Sequence, residues 1–424
     1  MSSPELAAVA GTRESLVLRT AIWLTLASSA AVVVGIAPSQ ILLGMALAAL
    51  LFCREQFRLP PVALPLALFL LGTLIALAFS EDPAAGLPQV RKMYVFCQLL
   101  VVFSLLRKVV HIRYLVIAWA GLAAISAGVG VVQFAQKVKQ AQTSGADFYT
   151  FYVGERITGF MSHWYTFSVL GMLALLMAVS YLFFATDTRR RTRVELLICT
   201  AAIAVGIVLA ETRAVWIATA AGCLYLVWFW RRRLVILVPI LLLAGFFAAP
   251  EALRTRALSI VRPGALDSNQ FRVVTSRTGL RMIRQHPLLG LGPEVPRLKF
   301  NDYVPEDIPR PLPDGSYIHL HNIYLHYAAE RGIPVLLCFL WLMGKILYDF
   351  RQGLLKLTPA RDDRRFVLHG GIAVVIALLV EGFADVNLGD SEVLAMFLAI
   401  VGCGYAAIGS WNVDRRSWAG ARES

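Results

Sequence analysis

The sequence predicts an all-α fold: a polytopic bundle of transmembrane helices, about twelve spans, with one large loop that contains short helices. Composition is the first observation behind it. Of the 424 residues 58% are hydrophobic and 16% charged, and the mean hydropathy of +0.66 is far above that of a soluble domain. The second is the length of the apolar runs, about 15 to 25 residues, where a membrane β-strand needs about ten. In hydrocarbon every backbone N–H and C=O must be satisfied within its own segment, and runs of this length do that as helices. The third is the placement of charge. The net charge of +13 comes from Lys and Arg that punctuate the apolar runs and do not gather on one soluble face, so a membrane protein is expected and nucleic acid is not a partner.

Apolar runs set against their breaks place spans near 16–37, 39–53, 60–79, 92–106, 114–134, 161–184, 195–210, 213–230, 234–249, 332–348, 367–385 and 391–411. The first run follows Arg13 and Arg19 and ends in small residues, as a cleaved signal peptide would, but its length and the immediate return run favour an uncleaved first span. Alternate connections carry Arg54/Arg58, Arg107/Lys108/Arg113, Arg189 to Arg193, Arg231 to Arg233 and Arg351 to Arg365, with Arg415/Arg416 at the end. By the positive-inside rule these face the cytoplasm, as do both termini. The chain then divides into spans one to nine (1–249), a periplasmic loop (250–331), and spans ten to twelve with a cytoplasmic tail (332–424). Long loops cross regardless of charge, so the arginines of the loop need another explanation. None of the six cysteines stands in a CxxC pair, which indicates neither a disulfide scaffold nor a zinc site.

Within the loop, Asp267-Ser-Asn-Gln-Phe-Arg272 followed by Val273 to Gln285 reads as a helix capped by Asp267, Ser268 or Asn269 and ended by His286-Pro287. Arg277, Arg281 and Arg284 fall on one face, and Arg272 points roughly the opposite way. Such a stripe offers guanidinium forks to phosphates; it reads equally as a solvated face or a headgroup anchor. Seven prolines from Pro287 to Pro313 predict an irregular course beyond it. Arg213, in Glu211-Thr-Arg-Ala-Val-Trp216, sits between two spans where charge is costly unless paired or facing a polar cavity. The structural alternative pairs it with Glu211, or with Glu381 and Asp385. His319-Leu-His321-Asn322 stands where polar loop meets apolar helix. An imidazole there can accept a proton from a sugar hydroxyl, and a helix N-terminus favours its neutral form; a histidine satisfied at an interface is the alternative, and His326 is an example of it. The sequence holds no Gly-rich phosphate loop or His/Cys metal cluster, and Asp362-Asp363 reads as a solvated cytoplasmic pair.

These segments resemble the O-antigen ligase and polymerase group of polytopic membrane glycosyltransferases. The resemblance runs through Glu155-Arg156-Ile-Thr-Gly-Phe160, Thr212-Arg213-Ala-Val-Trp216, Asp267 to Arg272, His286-Pro-Leu-Leu-Gly-Leu-Gly292, His319-Leu-His321-Asn322 with Glu330-Arg-Gly332, and Asn387-Leu-Gly-Asp390-Ser-Glu392. The ligase pattern is His-Asn, nine residues, Gly, two residues, then Gly, Thr or Tyr; His321, Asn322 and Gly332 fit, and Val335 departs. By this resemblance His321 would be the catalytic base, and Arg213, Arg272 and Arg156 would bind the donor's diphosphate, with His319, Asn322 and Asp390 in support. It implies a bacterial inner-membrane enzyme that moves a glycan from undecaprenyl diphosphate to a hydroxyl of lipid A-core in the periplasm, inverting, with no metal or cofactor. The rivals are an O-antigen polymerase, a protein O-oligosaccharyltransferase and, from another class, a transporter with Glu381 and Asp385 as its cation site.

Overall fold

The computed structural model describes residues 3–53, 57–145, 147–186, 189–248, 251–258, 269–313, 315–357 and 362–420. Arg54, Asp267 and Ser268, named above, lie outside them. Every regular element among the described residues is helical. The chain runs through α1 (Ser3–Ala31), α2 (Ile36–Phe52), α3 (Ala63–Ala78), α4 (Pro83–Lys92), α5 (Cys97–Leu105), α6 (Val109–Ser144) and α7 (Phe148–Gly154). It continues through α8 (Trp164–Phe184), α9 (Arg190–Leu209), α10 (Arg213–Arg231), α11 (Leu237–Ala248), α12 (Glu251–Leu258) and α13 (Asn269–Gln285). The short α14 (Val295–Leu298) and α15 (Phe300–Tyr303) lead to α16 (Ile323–Arg331), α17 (Ile333–Lys356), α18 (Arg364–Glu381) and α19 (Ser391–Gly420).

Six of the helical stretches are long and apolar enough to cross a membrane: Val109–Ser144, Trp164–Phe184, Arg190–Leu209, Arg213–Ile236, Ile333–Lys356 and Ser391–Gly409. Shorter apolar helices cover Leu16–Ala31, Ile36–Phe52 and Ala63–Ala78. The segment read as span 92–106 is broken: α4 ends at Lys92, a 3-10 turn covers Met93–Phe96, and α5 takes over at Cys97.

A helix that is apolar all round must be enclosed or face lipid, and both kinds occur. α8 and the Ser391–Gly409 part of α19 are the enclosed kind, with 78% of the best apolar window of each buried, against 22% for α9. α9 turns Leu197, Ile198 and Val205 outward, as lipid requires. Small residues let the central helices approach: Gly222 of α10 lies against Leu176 of α8 and the Ala373 carbonyl of α18, and Gly402 of α19 against Val102 of α5. Val335, the departure from the ligase pattern, is buried against Gly72 of α3, whose missing side chain leaves room for it.

The polar segment after α12 folds as a cap with its own apolar core, built from Val274, Met282, Leu291, Val295, Phe300, Ile308 and Leu320 among others. The expected irregular course after His286 is interrupted only by α14 and α15 before α16 begins. The cap is stitched to α16 and α17 through the backbone. Leu291 N and Gly292 N donate to the carbonyls of Ala329 and Glu330 (2.8 and 2.9 Å), and Ile333 N to that of Pro287 (2.8 Å). At the other end of the bundle, Asp363 pairs with Arg113 of α6 and accepts from Thr186 N at 2.8 Å, and Asp362 accepts from Arg364 Nε at 2.9 Å. This corrects the reading of Asp362-Asp363 as merely solvated: helix packing brings Arg113 to Asp363, and the pair ties three segments together.

Gly332 joins α16 to α17 at φ +82°, and a Cβ there would stand 2.0 Å from the Leu288 carbonyl oxygen. Neither the backbone angle nor the neighbour can yield, because Leu288 is held by the stitching bonds. Gly332→Ala is therefore expected to destabilise the protein by roughly 2 kcal/mol or more. A thermal unfolding midpoint in detergent equal to wild type would contradict this.

Candidate functional site

Between the cap and the bundle lies a cavity of about 890 Å³. Arg156, Arg213, Arg272, His319, His321 and Asp390 all line it, although they are drawn from five separate segments of the chain. Asn322 stands beside it as the residue that starts α16. The stripe of Arg277 and Arg281 turns away: Arg277 pairs with Asp307 (2.7 Å) and Arg281 donates to the Val304 carbonyl (3.3 Å), so these arginines dock α13 onto the cap.

Arg156 follows α7 in a turn held from α6. Gln133 Oε1 accepts from the N–H groups of Thr158 and Gly159 (2.9 and 3.0 Å), and Ser126 Oγ from Phe160 N (3.1 Å). Its guanidinium lies 5.2 Å over the Trp164 ring. Burial, then the neighbouring Arg256, lower its pKa to about 10, which leaves it charged at neutral pH. Arg213 is the first residue of α10, where the helix dipole adds positive potential to its own charge. Arg272 comes from the first turn of α13.

Arg256 of α12 is a fourth guanidinium in the cavity wall, 5% exposed, and sequence reasoning did not single it out. It was one of seven arginines between 251 and 284, and no pattern set it apart. Its Nε donates to the Glu211 carbonyl (3.2 Å) and lies 4.0 Å from the Glu211 carboxylate. Burial raises the Glu211 pKa to about 7, against the pull of Arg256 and Arg156. Also unforeseen are Gln89 and Lys92 of α4, which line the cavity from a part of the chain that offered only hydropathy.

The histidines line the same cavity. Ile323 N donates to the Gly382 carbonyl (2.8 Å), Asn322 Nδ2 to that of Phe383 (3.3 Å), and Asn322 Oδ1 caps α16 by accepting from Tyr324 N and Leu325 N (3.0 Å each). These bonds hold the start of α16 on the turn that follows α18. His319 Nε2 thereby lies 3.2 Å and His321 Nδ1 3.4 Å from the same Asp385 oxygen. His321 sits at φ +48°, a conformation costing a residue other than glycine roughly 1–2 kcal/mol, which the surrounding bonds sustain. Its Nε2 is 2.9 Å from the Ser316 carbonyl.

Burial raises the Asp385 pKa, but hydrogen bonds from His319 and His321 outweigh it and hold the carboxyl far below its usual range. Burial lowers His319, and its bond to Asp385 more than restores it, for a net rise. His319, His321 and Asp385 each offer an atom within 4.8 Å of the others, a set able to hold a metal ion. No local sequence pattern marks this set, since its third group comes from a distant helix end. Asp385, read there as a partner for Arg213 or a transport acid, instead pairs with the histidines. Asp390 accepts from Thr166 Oγ1 at 2.6 Å, and His326 faces Glu330 at 3.4 Å, as expected of an interface histidine.

Replacing Asp385 with Asn removes the charge that keeps His319 easily protonated, while burial remains. The His319 pKa is expected to fall below the ordinary histidine value in Asp385→Asn, read by an NMR titration of labelled histidine. A value unchanged from wild type would mean that Asp385 does not set it.

Among curated proteins none matches the chain. Residues 198–340, which hold Arg213, Arg256, Arg272, His319, His321 and Asn322, match the family model described as O-antigen ligase (Wzy_C), so this part of the chain is similar to that family.

Proposed function

We propose that the protein is an O-antigen ligase of the bacterial inner membrane, transferring a glycan from undecaprenyl diphosphate to a sugar hydroxyl of lipid A-core on the periplasmic side. One observation carries the reading: a single cavity is lined both by guanidinium groups and by a histidine pair on a carboxylate. Diphosphate is a good leaving group, and Arg213, Arg272 and Arg156 supply charge where negative charge develops, with no reorganisation at the moment of reaction. His321 takes the proton of the attacking hydroxyl. In this account the acceptor hydroxyl replaces the Ser316 carbonyl at Nε2, and Nδ1–H is turned to Asp385, which stabilises the imidazolium that forms.

The hydroxyl oxygen bonds to the anomeric carbon as the bond to the diphosphate oxygen breaks, and the proton goes to His321. Attack opposite the leaving group inverts configuration, as in an inverting glycosidase with a sugar hydroxyl in place of water. Asn322 positions His321 by capping α16, His319 shares Asp385, and Asp390 is free to accept from sugar hydroxyls on its cavity side. The topology that goes with this reading has twelve spans and both termini in the cytoplasm, with 250–331 as the periplasmic part. Neither cofactor nor metal is required, because arginine charge answers the phosphates.

The test is transfer in vitro from purified undecaprenyl-diphosphate glycan to purified lipid A-core, with and without EDTA. Wild type is expected to form the capped lipid in both conditions. His321→Ala should lose about 100-fold or more in kcat, and Arg213→Ala about tenfold or more, with both variants folded. A longer lipid-linked glycan in place of the capped lipid would make the protein a polymerase. Activity abolished by EDTA would turn the His319, His321 and Asp385 set into a metal centre, and full activity of His321→Ala would sink the mechanism.

A further inference from the structure

Glu211 is an unusual residue to find behind a wall of arginines that awaits an anion. It occupies the three-residue break between α9 and α10 at φ +49°, in the left-handed region, and it is 2% exposed. Its Oε2 accepts no hydrogen bond; the Arg256 guanidinium 4.0 Å away is a facing charge. From α7, Tyr152 faces it and donates to the Leu209 carbonyl at 2.5 Å, while the Tyr149 hydroxyl lies 3.5 Å from Arg256. Arg156 faces it from the turn after α7, and Arg213 is two residues along its own chain. Tyr152, Arg156 and Arg256 are thus the titratable groups that face Glu211.

We propose that Glu211 is the internal counter-anion of the donor site, that Arg256 is one of the groups receiving the diphosphate, and that binding of a lipid-linked diphosphate takes up one proton at Glu211. The inference rests on the functional reading above. Arginines packed this closely repel one another, and a carboxylate behind them offsets that repulsion while the cavity is empty. An arriving diphosphate places a second anion on the other side of the same guanidinium. Two anions on one cation compete, and the buried carboxylate, one oxygen of which accepts no hydrogen bond, is the one that can discharge, by gaining a proton from solvent. Arg256 then turns its full charge to the phosphates.

The sign follows from linkage. Below pH 7 the Glu211 carboxyl is already largely protonated, since burial raises its pKa to about 7, and binding takes up little. Above pH 7 each binding event must bring a proton, so affinity falls as pH rises, approaching about tenfold per pH unit. A sugar-capped diphosphate has no group of its own titrating in this range. The cavity histidines are common to wild type and Glu211→Gln.

The experiment measures binding of a short polyprenyl-diphosphate sugar to the full-length protein in detergent, by quenching of tryptophan fluorescence, at pH 6 and pH 8. Wild type is expected to weaken toward pH 8 by about tenfold more than Glu211→Gln. Arg256→Gln should bind about tenfold or more weakly at pH 6. Infrared difference spectra of the wild type at pH 8 provide a reading that needs no variant. Adding the ligand should replace a carboxylate band with that of a protonated carboxylic acid, which histidine cannot produce. Equal pH dependence in wild type and Glu211→Gln, or no carboxyl band, overturns the proposal. If Arg213→Ala binds the ligand as well as wild type, the reading of the cavity as a diphosphate site has failed instead.

Discussion

The bonds that hold the start of α16 on the turn after α18 are what the rest of the site depends on. They join a residue that begins a short helix of the cap to the end of a helix buried in the bundle, through Ile323 N on the Gly382 carbonyl and Asn322 Nδ2 on that of Phe383. Both are bonds to backbone, so they fix position regardless of which side chains surround them. Once made, they leave His319 and His321 no choice but to share Asp385, and they place the cap over the bundle at the distance that leaves a cavity. Positioning of this kind on rigid elements is what makes a site precise.

The strained residues tell the same story. Among the described residues, three other than glycine adopt positive φ: Glu211, Glu294 and His321. Glu294 and His321 line the cavity, and Glu211 stands behind its arginines. Such conformations persist only where the surroundings over-determine them, and here they do. Glu294 N donates to the buried Glu330 carboxylate (2.8 Å), which also pairs with Arg331 (2.9 Å). Strain is thus collected at the cavity and carried by the stitching of cap to bundle.

The electrostatics of the cavity follow the same lines. Guanidinium groups line it together with histidines that have a carboxylate beside them. A low-dielectric setting strengthens both the attraction such groups offer a substrate and the repulsion among themselves. Buried cations of this density need partners, and the fold supplies them from within: Trp164 under Arg156, and the carbonyl and carboxylate of Glu211 beside Arg256. The carboxylates are likewise held, Asp385 by two imidazoles and Asp390 by Thr166.

Much of the helical fold could be read from the chain, because a bilayer leaves few options for runs of apolar residues that long, and the reading of α13 and of its two arginine faces followed from helical periodicity alone. Arg213, His319 and His321 were legible as polar residues out of place beside apolar runs, whereas Arg156, Arg272 and Asp390 were named through the family resemblance. What tertiary structure decided is which of them meet. Arg256 looked like any other basic residue of the loop, and Gln89 and Lys92 belonged to a connection that hydropathy treats as filler. Asp385 had no sequence signal linking it to histidines on the far side of α17 and α18. Periodicity acts over a few turns of one helix, whereas a cavity is made by segments hundreds of residues apart, brought together by packing and by hydrogen bonds to backbone that no local pattern encodes.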